Sequence, residues 1–450
     1  MRLIRVAMVA VFAFAFGNAY AFHSGGVAEC EGCHTMHNSK ENKPMEAEGI
    51  GASIGVALGL TQFQAGPYLL KASDQSSACL NCHNAKDTAP SSYHISTDSS
   101  LLAPGVPPVE MTPGGDFAWL KKTYNTTIRS TTTINGNEGD RHGHNINATD
   151  YGYEMDQVQL VSPGGAYPRE NLHCSSCHDP HGKYRRFSDN TVGTTGLPIF
   201  NSGSYQNSVA PTANVSAVGM YRLLGGIGYL PKSVSNAALA FTNPSPVAVV
   251  NSTYNRSEGT TQTHVAYGSG MAEWCGNCHP NMHLDTYVSG TPKLVHPAGN
   301  GAKLTGAIVA NYNAYVSSGI MTNSDPLKAY SSLAPFEEGV DYSGIPALKL
   351  LAVNDDSASS PATTGKNVMC LSCHRAHASG FESMTRFFLE NEFMTIADAS
   401  NNAIYDPSTT ENKINWGYSQ AEQQAAYYGR PATVFGPYAR NYCNKCHAKD

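Results

Sequence analysis

Apolar positions along this chain seldom repeat at the 3.6-residue spacing of an amphipathic helix or the two-residue spacing of a half-buried strand, so little regular structure is expected. The strongest apolar run comes first. Arg2 and Arg5 precede a mostly apolar stretch from Val6 to Phe16, and Ala19-Tyr20-Ala21 supplies small residues for cleavage, the layout of a secretory signal. The chain therefore divides into residues 1–21, removed on export, and 22–450, read as one domain. Within the latter, Gly49 to Leu60, rich in Gly and Ala, reads as a short helix or a packed loop, and helices are expected over Ala302 to Ser317 with Gly319 as stop and over Ser383 to Ala397. A further helix is expected over Ala421 to Tyr428, with Ser419 as N-cap, Gly429 at the end and Pro431 beyond. Residues 191–263 are rich in Gly, Pro, Ser and Asn, with at best a small hairpin near Val247 to Val250. No later segment has the unbroken apolar run of a transmembrane helix.

Composition deepens the puzzle before the cysteines resolve it. Only 41% of residues are hydrophobic, with 42 Gly and 25 Pro, a balance that ordinarily leaves a chain disordered. Yet all 12 cysteines fall in one motif repeated six times: Cys30-Glu31-Gly32-Cys33-His34, Cys79-Leu80-Asn81-Cys82-His83, Cys174-Ser175-Ser176-Cys177-His178, Cys275-Gly276-Asn277-Cys278-His279, Cys370-Leu371-Ser372-Cys373-His374 and Cys443-Asn444-Lys445-Cys446-His447. Two cysteines three apart with a histidine directly behind form the c-type haem signature, in which each thiol adds to a haem vinyl and the histidine takes one axial position on iron. Structural zinc and a disulfide framework also use such cysteine pairs, but neither requires the histidine. No βαβ pattern supports a thioredoxin-like use. Six covalent haems follow, one for about every 72 of the 429 residues left after the signal. Porphyrin faces then supply the missing apolar volume, and thioether attachment restrains the chain as cross-links do. The expected fold is mostly irregular coil with a few short α-helices and minimal β-structure, wrapped around a chain of six stacked haems.

Six of the 17 histidines serve as proximal ligands: His34, His83, His178, His279, His374 and His447. A second histidine on every iron would still leave five of the other eleven unused, so fully ligated, low-spin haems are permitted. His37, His181 and His377 each stand three residues after a proximal histidine. Such a residue cannot reach the far face of its own haem past the porphyrin plane, so each is expected on the iron of a neighbour. The distal candidates are His37, His94, His144, His181, His296 and His377, with His23 and His283 in reserve. His142 and His264 read as ordinary surface residues. Saturated iron favours outer-sphere electron transfer, and no catalytic residue is assigned.

The formal charge is −6, and −8 once Arg2 and Arg5 are removed, with no polybasic run, which argues against nucleic acid and anionic membranes as partners. Haem motifs lie close to both ends of the exported chain. A conductor built by head-to-tail, heterologous contacts accounts for that placement. The alternatives are a periplasmic multihaem reductase with an open iron and a monomeric periplasmic electron carrier.

The stretches Phe22 to His37, Leu172 to Phe187, Met271 to His279, Leu371 to Arg386 and Tyr442 to Asp450 resemble the OmcS-type hexahaem outer-surface cytochromes of metal-reducing bacteria. The resemblance spans nearly the whole exported chain and all six motifs. It implies bis-histidine haems stacked in a continuous chain, protomers polymerised into extracellular filaments, and electron delivery from outer-membrane or periplasmic cytochromes to ferric oxides, electrodes or partner cells. It further implies that His37 crosses to an adjacent protomer, onto the haem of Cys370, Cys373 and His374. His142 and His264 do not match the family's ligands, and Ala347 to Leu351 diverges.

Overall fold

Backbone hydrogen bonds here close single turns and isolated bridges far more than long ladders. The computed structural model describes residues 30–35, 39–40, 43–44, 67–91, 93–129, 132–189, 191–199, 211–246, 258, 270–282, 296–314, 334–338, 364–406, 408–409 and 414–447. Among these, the helices are α1 (Cys30–Cys33), α2 (Gln75–His83), α3 (Met271–Cys275), α4 (Gly306–Ala314), α5 (Cys370–Cys373), α6 (Gln420–Ala426) and α7 (Cys443–Cys446). None is long and apolar enough to cross a membrane. The third haem motif sits on a 3₁₀ turn, Cys174–Ser176.

A helical turn is what the motif needs, because residues three apart share one face. The same bond closes five of the motifs. The histidine N–H donates to the first cysteine's carbonyl at 2.8 Å for His34 and at 3.0 Å for His178, His279, His374 and His447.

The expectation of coil with minimal β-structure holds, and the largest sheet among the described residues is small. A four-stranded antiparallel sheet runs in the order Ser408–Thr409, Ile414–Asn415, Tyr124–Ile128, Thr132–Asn137. Its hairpin, at one edge, pairs Thr126 with Ile134, and Arg129 turns the chain at φ 52°. The β-branched run Thr126-Thr127-Ile128 and its echo Thr131-Thr132-Thr133-Ile134 carried that signal. The helix expected over Ala302 to Ser317 forms as α4. That over Ala421 to Tyr428 forms as α6, where Ser419 and Glu422 make a reciprocal capping box. Gly49 to Leu60 and Val247 to Val250 lie outside the described residues.

The helix expected over Ser383 to Ala397 does not form. Ser383 and Met384 take left-handed backbone at φ 56° and 49°, and Thr395–Ala397 is a strand paired with Ala403–Tyr405. Tertiary packing overrides the apolar spacing here. Phe387 and Phe388 are both buried, Phe387 stacking on Tyr442 (ring centres 4.3 Å apart) while Phe388 meets Trp416 edge-on. These rings belong to the main core, which also holds Trp119, Phe381, Tyr405, Tyr427 and Phe435.

The left-handed pair is half of a device that recurs three times. Tyr68-Leu69, Arg222-Leu223 and Ser383-Met384 all have positive φ. The first residue of each pair accepts a hydrogen bond from a proximal histidine's Nδ1: Tyr68 from His34 at 3.0 Å, Arg222 from His178 at 2.6 Å, Ser383 from His374 at 2.8 Å. The second accepts from the backbone N–H just after that histidine, at 2.7, 2.6 and 2.8 Å. The residue after each pair then bridges antiparallel to the histidine itself, as His34–Leu70, His178–Leu224 and His374–Thr385. We call this unit the clasp. It serves the first, third and fifth motifs.

Two non-glycine residues in left-handed backbone cost energy that the surrounding bonds must offset. Replacing Ser383 by Gly should therefore leave the haem spectrum unchanged and raise the unfolding free energy by up to about 1 kcal/mol. Ser383→Pro, locked at negative φ, should cost roughly 3 kcal/mol or more and disturb the fifth haem. Denaturant titration followed at the Soret band checks both. Ser419→Ala, which breaks the capping box far from any motif, should cost about 1 kcal/mol with haem content unchanged.

Candidate haem centres

Four histidine pairs face each other across gaps of one size. Ring centres lie 6.1 Å apart for His34 and His181, 6.0 Å for His144 and His279, 6.3 Å for His178 and His377, and 6.2 Å for His296 and His447. Direct stacking would bring the rings closer, as for Tyr124 and Tyr418 at 3.8 Å. Two imidazoles bonded through nitrogen to one first-row metal ion at about 2.0–2.1 Å have centres about 6 Å apart. The gaps fit an iron.

The other ring nitrogen decides which atom faces that gap. Besides the three clasped histidines, Nδ1 bonds a backbone carbonyl in His83 (Tyr93 O, 2.7 Å), His279 (Pro163 O, 2.8 Å), His144 (Ala376 O, 2.7 Å) and His296 (Pro297 O, 2.8 Å). A carbonyl can only accept, so Nδ1 carries the proton and Nε2 presents its lone pair to the metal. Burial also keeps the rings neutral: it holds His144 down to about 4, helped by His279, and His377 down to about 3, helped by His178 and His144. Burial likewise lowers His178 and His374.

Glycine makes room for two of these groups. A Cβ on Gly115, at φ +99°, would sit 1.7 Å from the Ala378 carbonyl oxygen, and one on Gly114 would lie 2.6 Å from the His377 ring. The second Pro-Gly-Gly run repeats the arrangement: Pro163 accepts from His279, and a Cβ on Gly165 would lie 1.9 Å from the Cys278 carbonyl oxygen. The repetition of this tripeptide, at 113–115 and 163–165, is the sequence signal for both sites.

Cysteines of successive motifs are neighbours. Cys79 shares a side-chain hydrogen bond with Cys174, and Cys275 shares one with Cys370; each bond raises the first thiol's pKa and lowers the second's. Burial pushes Cys33 up, with Cys82 adding to it, and Cys177 up, with Cys278 adding to it. It pushes Cys373 up to about 12, aided by Cys443 and Cys446. The motifs thus follow one another in space in the order one to six. None of the 12 cysteines is in a disulfide. Among the described residues no three His, Cys, Asp or Glu side chains converge as a zinc site would require.

The remaining histidines divide differently. His94 follows the residue that binds His83 Nδ1, and Ile95 N–H bonds the His83 carbonyl at 2.9 Å, so this segment lies on the side of His83 away from Nε2. The His94 ring faces Glu110, with Nδ1 3.6 Å from Oε1. His142 is not a surface residue: it is fully buried, bonds Asn137 Oδ1 at 2.6 Å and lies over Tyr124. His173 bonds the Asn147 carbonyl at 3.1 Å. His23, His37, His264 and His283 lie outside the described residues.

No protein-family model matches the chain. It is 57% identical over 436 residues to C-type cytochrome OmcS of Geobacter sulfurreducens, covering 96% of this chain and 95% of that one. It also matches the OmcS nanowires from that bacterium, seen by cryo-electron microscopy, with a TM-score of 0.82 and 56% identity over 95% of this chain and 100% of the other. The outer membrane cytochrome S filament from the same organism matches with the same TM-score, identity and coverage. Four facing imidazole pairs and neighbouring cysteines of successive motifs, with 57% identity to OmcS over 96% of the chain, place this chain in the OmcS family of c-type cytochromes, electron-transfer proteins that bind haem covalently.

Proposed function

We propose that this protein is a secreted, six-haem conductor whose copies join head to tail into extracellular filaments. Residues 1–21 act as the export signal, and 22–450 form a single haem-bearing domain. The haems, when bound, supply one-electron carriers of tunable potential. The chain's own residues attach, order and ligate them. Cys30 and Cys33, Cys79 and Cys82, Cys174 and Cys177, Cys275 and Cys278, Cys370 and Cys373, and Cys443 and Cys446 hold one haem each.

The axial pairs we propose are His34 with His181, His178 with His377, His279 with His144, and His447 with His296, supported by the four iron-sized gaps. For His83 we propose His23. Residues 93–95 occupy its Nδ1 side, whereas Cys33 neighbours Cys82. The seven residues from His23 to Cys30 can span about 23 Å when extended.

One observation carries assembly. His181, three residues past the third proximal histidine, faces the first; His377, three past the fifth, faces the third. Each partner comes from the motif two places ahead. Continuing that rule, the fifth motif's His374 needs a seventh motif, which only the first motif of another copy can provide, through its His37. A heterologous contact of this kind yields a filament when its rotation does not close into a ring. The relatives' nanowire and filament assemblies support the same reading. Electrons would enter from outer-membrane or periplasmic cytochromes and leave to ferric oxides, electrodes or partner cells by outer-sphere transfer, without a catalytic residue.

His37→Ala should retain six covalent haems by pyridine haemochrome and intact mass, convert one iron to high spin by electron paramagnetic resonance, and abolish filaments by electron microscopy. Filaments of normal length from this variant would overturn the assembly proposal. His181→Ala and His377→Ala should each turn one haem high spin, and His94→Ala none.

A further inference from the structure

We infer that Glu258 sets the reduction potential of the haem at Cys370, Cys373 and His374, by placing a buried negative charge among the arginines that grip this ligand segment. The inference rests on the haem assignment proposed above and concerns a residue that no motif marks.

Glu258 is 2% exposed, and four separate parts of the chain converge on it. Its Oε2 accepts from Arg375 Nη1 and, at 3.3 Å, from Arg386 Nη1, while its backbone carbonyl accepts from Arg430 Nη2 at 3.1 Å. Its own N–H donates to the Met111 carbonyl at 2.7 Å. All three arginines are buried. Arg375 directly follows His374 and lies over the Tyr428 ring, guanidinium carbon 3.7 Å from its centre. Arg386 donates through Nε to the carbonyls of Leu371 at 2.7 Å and His374 at 3.2 Å, and its backbone N–H bonds the Cys373 carbonyl at 2.7 Å. The carboxylate is thus one side chain away from the proximal ligand by two routes.

Charge so placed acts on redox chemistry. Reduction of a haem adds an electron to the site, so nearby positive charge raises the potential and nearby negative charge lowers it. Buried charges are weakly screened, and their effect survives at distances where a surface charge would be lost. The arginines' field acts directly on the ligand segment, since Arg386 Nε bonds the His374 carbonyl itself at 3.2 Å. Glu258 counters that field. The haem affected is the one proposed to stand at the junction between protomers, where its potential governs transfer from one copy to the next.

The test is spectroelectrochemical titration of the assembled holoprotein. Glu258→Gln should move one-sixth of the amplitude to higher potential, Arg375→Gln should move one-sixth lower, and the double variant should return close to the parent curve. Glu258→Asp should keep the parent curve. A folded Glu258→Gln protein with six low-spin haems and an unshifted titration overturns the inference. If that variant does not fold, Arg375→Gln decides, and absence of a negative shift overturns it. The Cys370→Ala/Cys373→Ala protein locates the effect: a Glu258→Gln shift that persists without this haem also overturns the inference. Fewer than six haems in the parent protein would instead refute the underlying haem assignment.

Discussion

One hydrogen bond recurs at seven of the eleven described ligand candidates, from the imidazole Nδ1–H to a backbone carbonyl. It fixes the tautomer, aims Nε2 at the gap and holds the ring in one plane. Much of the backbone's irregularity serves it. Left-handed dipeptides that would be costly elsewhere bring a carbonyl to His34, His178 and His374. Pro-Gly-Gly runs let the chain approach where a side chain would collide. A long helix or strand consumes its carbonyls internally, so a protein that spends them on ligands gains from having few of either.

The clasp and the offset histidine fall on the same motifs, the first, third and fifth, and on no other described motif. In the reading proposed above, the molecule has a two-haem period, each odd centre drawing a ligand from the next odd motif. Covalent attachment makes each haem part of its own segment, and the crossed ligand ties that segment to one far along the sequence. The contact proposed between copies repeats the contact within a copy. No new interaction is needed to turn the internal period into a polymer.

Around the fifth and sixth motifs lies much of the largest core among the described residues. Phe381, Phe387, Phe388, Tyr405, Tyr427, Phe435 and Tyr442 interlock, and the Glu258 cluster closes its edge. The aromatic rings exclude water, which strengthens the ionic contacts beside them. In the proposed assembly, a well-packed, desolvated end suits a centre whose ligand set another copy would complete, because a mobile end would add ordering cost to each joining event.

The local chemistry of haem binding was legible in the sequence, because cysteine spacing and the histidine behind it are covalent requirements satisfied within five residues. The coil-dominated fold followed from composition plus those motifs, and α6 from its cap and stop residues. Ligand partnership was legible only in part. The three-residue offset of His181 and His377 pointed to a neighbouring haem, but which neighbour depends on contacts across more than a hundred residues. His94 looked equivalent to His144 in sequence, and only the bond from His83 to Tyr93 puts it behind the ring. The helix expected over 383–397 failed because periodicity ignores where a carbonyl is needed, and Ser383 is bent to deliver one. Glu258 carries no signal at all: its role exists only where distant arginines converge, and burial, which turns a carboxylate into a strong local field, is a property of the tertiary structure alone.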